Sequence, residues 1–190
     1  MVKILNIKAR EIFDSRGNPT VECEMLVEGH PDPFFGLVPS GASTGKFEAL
    51  ELRDNDKKRM SGKGVLNAVD NVNIAIKPHL INKAFNDYLE FDSFILSLDG
   101  TENKSKFGAN AILSLSLAYY KAWSYINFNK IFLSQGNDNL SIPVPMLNII
   151  NGGQHADNDV DFQEFMILPI NFVNLREALS ATHDVIGKIK

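Results

Sequence analysis

Three stretches of the chain bring residues capable of chemistry close together. Gly41-Ala42-Ser43-Thr44-Gly45-Lys46 invites comparison with a phosphate-cradling loop. It fails as one, because three residues rather than four separate the glycines and Phe47 stands where Ser or Thr is required. Two readings remain: a loop whose glycines let backbone approach a ligand while its hydroxyls meet a hard cation, or an ordinary surface loop. Asp157-Asn158-Asp159-Val160-Asp161 begins like a calcium loop, but the sixth position is Phe162 and the twelfth Leu168, so a solvated acidic stretch is the better reading. The third stretch holds His155 and Glu164. His155 follows Asn151-Gly152-Gly153-Gln154, a loop that lets a side chain project into a cleft. Glu164 follows Gln163 and is bracketed by Phe162, Phe165, Met166 and Ile167. A carboxylate among apolar neighbours is paired, metal-linked or catalytic when buried, because burying it alone is costly; otherwise it faces solvent from an edge strand. His79 and His183 fall in helical contexts and read as surface or helix-end residues. No Cys/His metal spacing and no Ser-His-Asp order stands out.

The elements that must position these residues change period along the chain. Val21, Cys23, Met25 and Val27 alternate with Glu22 and Glu24, the pattern of a half-buried antiparallel strand. The turn signal Asp14-Ser15-Arg16-Gly17-Asn18-Pro19 and the strand-like run Ile4 to Phe13 precede it, which predicts a β-hairpin. A further strand is expected over Phe34 to Val38. Val65, Val69, Val72 and Ile76 then recur on one helical face, with a break expected near Pro78. Gly108 to Ile126 reads as a longer helix whose small residues suit close packing. Strands followed by helices predict an α+β domain with the helices on one sheet face. Gln135 to Asn139 is loop-like and precedes Pro143 and Pro145, which places a domain boundary at residues 138/139. Beyond it come a short apolar stretch, Met146 to Ile150, a strand over Phe162 to Leu168 and a helix over Leu175 to Ile189.

Composition narrows the function classes. The 190 residues carry 19 Lys+Arg against 23 Asp+Glu, a net charge of −4, and 44% are hydrophobic. A packed core is expected, and the absence of a basic cluster argues against nucleic acid as the main partner. No apolar run approaches the ~20 residues of a membrane span, and the opening residues are too short an apolar stretch for a signal peptide. The single cysteine, Cys23, excludes a disulfide framework, suits a cytoplasmic protein and reads as a small core residue. Asparagine occurs 19 times, which reads as drift in an AT-rich genome rather than as function.

The order of the motifs carries more than any one of them. Glu11-Ile12-Phe13-Asp14-Ser15-Arg16-Gly17-Asn18-Pro19-Thr20-Val21-Glu22 closely resembles the opening hairpin of enolase. Val38-Pro39-Ser40-Gly41-Ala42-Ser43-Thr44-Gly45 is similar to its first active-site loop, and Glu48 to Asp54 continue the likeness. Leu98 to Ser105 with Phe107 to Leu113 resemble its signature helix entry. Pro143 to Gly153 and Gln163-Glu164-Phe165-Met166 complete it. The resemblance runs in order from residue 4 to residue 190 and is strongest to bacterial members. Departures sit at Asp32-Pro33-Phe34-Phe35, at Tyr119-Tyr120-Lys121-Ala122-Trp123 and over residues 127–139; they bear on helix packing rather than on family.

The resemblance implies an α+β capping domain over residues 1–138, followed by the start of an α/β barrel over residues 139–190. It implies a lyase of glycolysis that reversibly dehydrates 2-phosphoglycerate to phosphoenolpyruvate with two Mg²⁺ ions, usually as a cytoplasmic homodimer. By matching position, Ser43 would ligate the second Mg²⁺ and Ala42 would contact substrate through its backbone. His155 would stand near the phosphate and leaving-group side, acting in catalysis and binding. Gln163 and Glu164 would bind substrate and support proton transfer to the leaving group. The family's proton-donating glutamate, lysine base, acidic Mg²⁺ ligands and phosphate-binding arginine map to no position here, and a complete barrel takes about 250 residues. The expectation is therefore a truncated enolase, inactive alone, with Ser141 to Lys190 exposing apolar strand faces. The alternatives are a non-catalytic dimerisation or partner-binding fragment, or a decaying gene product.

Overall fold

A computed structural model describes residues 1–41, 45–127 and 142–189. The chain divides into two compact units, Met1–Gln135 and Gly136–Lys190.

The first unit is built on the hairpin. Strands β1 (Val2–Phe13) and β2 (Pro19–Val27) pair antiparallel, with Phe13 opposite Pro19 and Ala9 opposite Cys23. The turn between them closes because Asp14 Oδ1 accepts the backbone N–H groups of Arg16 (2.9 Å) and Asn18 (2.8 Å), while Gly17 takes a φ of +75°. Strand β3 (Phe34–Leu37) joins the far side of β2, and the two-residue β4 (Ala84–Phe85) pairs with the start of β1, giving the order β3-β2-β1-β4. Val21, Cys23, Met25 and Val27 are all fully buried, as their alternation predicts. Burial pushes the Cys23 thiol up to about 12, so it is inert as a nucleophile.

Helices cover this inner face. Helix α1 (Leu66–Asp70) runs without interruption into a π-helical segment, Asn71–Ile76, and then into α2 (Lys77–Leu80). The break expected at Pro78 does not occur. Pro78 sits in the first turn of α2, and the wider π turn before it accommodates the ring and its missing N–H. Helix α3 (Tyr88–Asp99) opens with Asp87 accepting from the Glu90 N–H (2.8 Å) and closes on Gly100 at φ +70°. Helix α4 (Ala109–Ile126) crosses β2 and β3. It comes so close to β3 that a Cβ on Gly36 would lie 1.9 Å from the Ser114 carbonyl oxygen.

The aromatic residues that depart from the family wording fill defined places. Tyr119 is fully buried, stacks on Phe91 with centroids 4.2 Å apart, and donates to the Phe85 carbonyl (3.1 Å). Tyr120 and Trp123 meet Tyr88 edge-on, and Tyr125 meets His30 and Phe34. Two asparagines replace missing strand partners. The Asn73 amide accepts from the Ala9 N–H (2.8 Å) and donates to its carbonyl (2.9 Å). Asn110 does the same for Leu52 (3.1 and 3.0 Å). These backbone groups would otherwise be left without partners.

The second unit is thinner. Strands β5 (Leu147–Asn151) and β6 (Glu164–Ile167) pair antiparallel, and α5 (Leu175–Ile189) follows. Their connection contains a tight turn and no crossover helix, so parallel pairing is excluded. The boundary expected within Gln135 to Asn139 lies outside the described residues.

Candidate functional site

The residues expected to do chemistry in the second unit converge through one turn. After β5 the chain enters a short 3₁₀ turn, Gly153–His155. The Gly152 N–H reaches the Gln163 carbonyl (3.0 Å) and the Gly153 N–H the Val160 carbonyl (2.7 Å), which ties the turn to the segment leading into β6. Only glycine fits at 152, where a Cβ would lie 2.4 Å from the carbonyl oxygens of both Val160 and Phe162. Gly153 takes a φ of +53°.

This docking brings His155 against Glu164 and Gln163. His155 Nδ1 lies 3.0 Å from Glu164 Oε1, and Gln163 Nε2 lies 2.8 Å from His155 Nε2. The two contacts select one tautomer: Nδ1–H donates to the carboxylate, and the Nε2 lone pair accepts from the Gln163 amide. The second carboxylate oxygen, the remaining amide N–H and the amide carbonyl are left to meet a ligand. Glu164 is thus paired, and it is half-exposed rather than buried. Phe162, at 71% exposure, and its apolar neighbours Phe165 and Met166 do not enclose it.

Ser40, the residue before Gly41, belongs to a polar node that motif reading missed. Ser40 Oγ donates to Glu51 (2.6 Å), and Arg53 Nη2 contacts both. Arg53 Nη1 donates to the carbonyls of Pro19 and Lys63 (2.6 Å each). The only sequence signal for it is the charge sequence Glu51-Leu52-Arg53-Asp54 in a stretch without regular structure. A groove of about 610 Å³ lies beside it, lined by Val38 to Gly41, Glu48 to Glu51 and the first turn of α4. Ala42 and Ser43 themselves lie outside the described residues.

Family models decide what these parts belong to. "Enolase, N-terminal domain" matches residues 4–134, and "Enolase, C-terminal TIM barrel domain" matches residues 139–190. The chain belongs to the enolase family. Its first unit is the α+β N-terminal domain of enolases, and its second is the start of their TIM barrel domain. No described helix is long and apolar enough to cross a membrane.

Magnesium, implied by the enolase resemblance, needs convergent oxygen ligands. Among the described residues no three His, Cys, Asp or Glu side chains converge on a metal-sized site. Asp157, Asp159 and Asp161 are exposed and spread along their loop. The described residues therefore do not themselves make a magnesium centre.

Proposed function

We propose that this enolase-family chain carries the part of a 2-phosphoglycerate dehydratase that grips substrate beside its phosphate and leaving group. The observation that supports this is the convergence of His155, Gln163 and Glu164 within hydrogen-bond reach of one another. With the imidazole locked between them, the free oxygen of Glu164 and the free amide groups of Gln163 can hold a substrate hydroxyl, and that carboxylate oxygen can take and return its proton. Ala42 as a backbone contact to substrate and Ser43 as a ligand of the second of two Mg²⁺ ions rest on the resemblance alone. So does homodimerisation, whereas a cytoplasmic location is supported also by the single cysteine and a boundary at 138/139 also by the loop-like composition of Gln135 to Asn139.

The 190-residue chain alone is proposed not to turn over, because binding groups without a metal centre leave the enediolate charge unstabilised. Purified chain incubated with 2-phosphoglycerate and Mg²⁺ is expected to form no phosphoenolpyruvate by its ultraviolet absorbance; metal-dependent formation would refute this. Independently, millimolar 2-phosphoglycerate is expected to shift the His155 ring resonances in NMR, with Glu164→Gln weakening the response at least tenfold. Unmoved His155 signals would remove the binding assignment.

A further inference from the structure

Of the 19 asparagines in the chain, Asn151 alone is followed by glycine. A backbone nitrogen can attack the side-chain carbonyl carbon of the asparagine before it. Glycine, having no Cβ, neither shields that nitrogen nor restricts the backbone that must bring it round. Asn151 ends β5 in an exposed position, and the Asn148 amide donates to its Oδ1 (2.5 Å). A donor on Oδ1 draws electron density away from Cγ and favours attack there. Asn73 and Asn110 differ on every count: their amides each hold two backbone groups, and Ile74 and Ala111 follow them.

The folded turn restrains the reaction. The Gly152 N–H is engaged by the Gln163 carbonyl (3.0 Å), and Gly152 itself is buried against Val160 and Phe162. Its nitrogen is free to react only when the turn undocks from the segment leading into β6. Little apolar burial opposes that step, since Ile150, Phe162, Phe165 and Met166 are all exposed.

We infer that Asn151 is a site of spontaneous deamidation, gated by undocking of the Gly152 turn, and that its products take apart the His155–Glu164 contact. The Gly152 nitrogen gives its proton to solvent hydroxide and bonds to Asn151 Cγ. The Cγ–Nδ2 bond breaks, and the amide nitrogen takes a proton from water and leaves as ammonia, closing a succinimide ring. Water then opens the ring at either carbonyl, giving aspartate or isoaspartate. Asn151 stands opposite Glu164 in the β5–β6 pairing, so aspartate sets two like charges across from each other. Isoaspartate adds a methylene carbon to the main chain just before Gly152, whose docking sets His155 against Glu164. The reaction needs no substrate and holds whatever the site binds.

Ageing the 190-residue chain at neutral pH, with peptide mapping by electron-transfer mass spectrometry, tests the chemistry. Asn151 is expected to convert at least tenfold faster than any other asparagine, with isoaspartate among the products. In urea the same chain should convert at Asn151 at least threefold faster again, because the Gly152 N–H is then free. Asn151→Asp carries the product's charge from the start and tests the consequence. In NMR it should move the His155 ring resonances and leave those of His183 on α5 in place. Conversion no faster at Asn151 than elsewhere, or not accelerated by urea, overturns the inference. So do His155 resonances that stay unmoved in Asn151→Asp, or that move only together with those of His183.

Discussion

Glu11 joins the hairpin to the loop and helix that follow it. Its carboxylate pairs with the Arg59 guanidinium through both oxygens and accepts the Val65 N–H (2.8 Å), with the side chain only 8% exposed. The hydrogen bond from Arg59 holds its pKa below the ordinary glutamate range; burial opposes this, and the Val65 N–H adds to the lowering. Asp99 follows the same sign by another balance: burial raises it, but the Thr101 hydroxyl and the N–H groups of Phe107 and Thr101 together outweigh burial. A carboxylate whose folded pKa is depressed contributes stability above its unfolded pKa and loses it as pH falls through the folded value. Glu11→Gln is therefore expected to cost about 1.5–3 kcal/mol at neutral pH in urea unfolding, the range for hydrogen bonds to charged groups. The gap to wild type should narrow as pH drops below about 4, where the unfolded glutamate is protonated; a constant gap would exclude the charge. Such pairings were not legible in the sequence, because 48 residues separate Glu11 from Arg59. Asparagine misleads in the opposite direction. Its abundance reads as drift, yet Asn73 and Asn110 each satisfy both backbone groups of a distant residue.

Elements with a clean period were legible: the hairpin, β3, α4 and α5 all lie where alternation or helical spacing puts them. Helix α3 has no counterpart among the sequence expectations, although Asp87, Glu90 and Gly100 are a complete set of end signals. The π segment was hidden because Val65, Val69, Val72 and Ile76 fit an α-helix equally well. At the site, the residues themselves were legible through resemblance, but the contact between His155 and Glu164 depends on the Gly152 docking, which no local period reveals. Close approach of elements is likewise invisible until a glycine is placed against its neighbour. Gly36→Ala tests this at the β3–α4 contact. The added methyl collides with helix backbone rather than with a side chain that could swing away, so strand and helix must separate. Overpacking of this kind costs about 1–3 kcal/mol and occasionally more. The upper end is expected here, read as a lowered urea midpoint with little change in slope; an unchanged midpoint would mean that β3 moves at no cost.

The two units differ in how much apolar surface they bury, and this sets an expected hierarchy of stability across the whole chain. The hydrophobic core gathers buried residues from β1, β2 and β4 and from the helices of the first unit, with Phe34 of β3 packed against it and Ile4, Ile7, Met25, Phe91, Leu115 and Tyr119 fully enclosed. Among the described residues of the second unit Pro169 and Ala178 are the buried apolar side chains, while Ile142 is 73% and Val173 91% exposed. Local opening free energy follows buried apolar contact, from near zero in poorly packed segments to the global value in the core. The amides of β5 and β6 should therefore exchange through local opening, while those of β1 and β2 wait for unfolding of the entire first unit. Hydrogen exchange followed by mass spectrometry at neutral pH is expected to show peptides from residues 147–167 exchanging at least tenfold faster than peptides from residues 2–27. Adding urea below the unfolding midpoint should speed the slow class and leave the fast class nearly unchanged, because local opening exposes little new surface. Equal protection in the two segments would mean that β5 and β6 are covered in solution, and would make their apolar faces part of an interface.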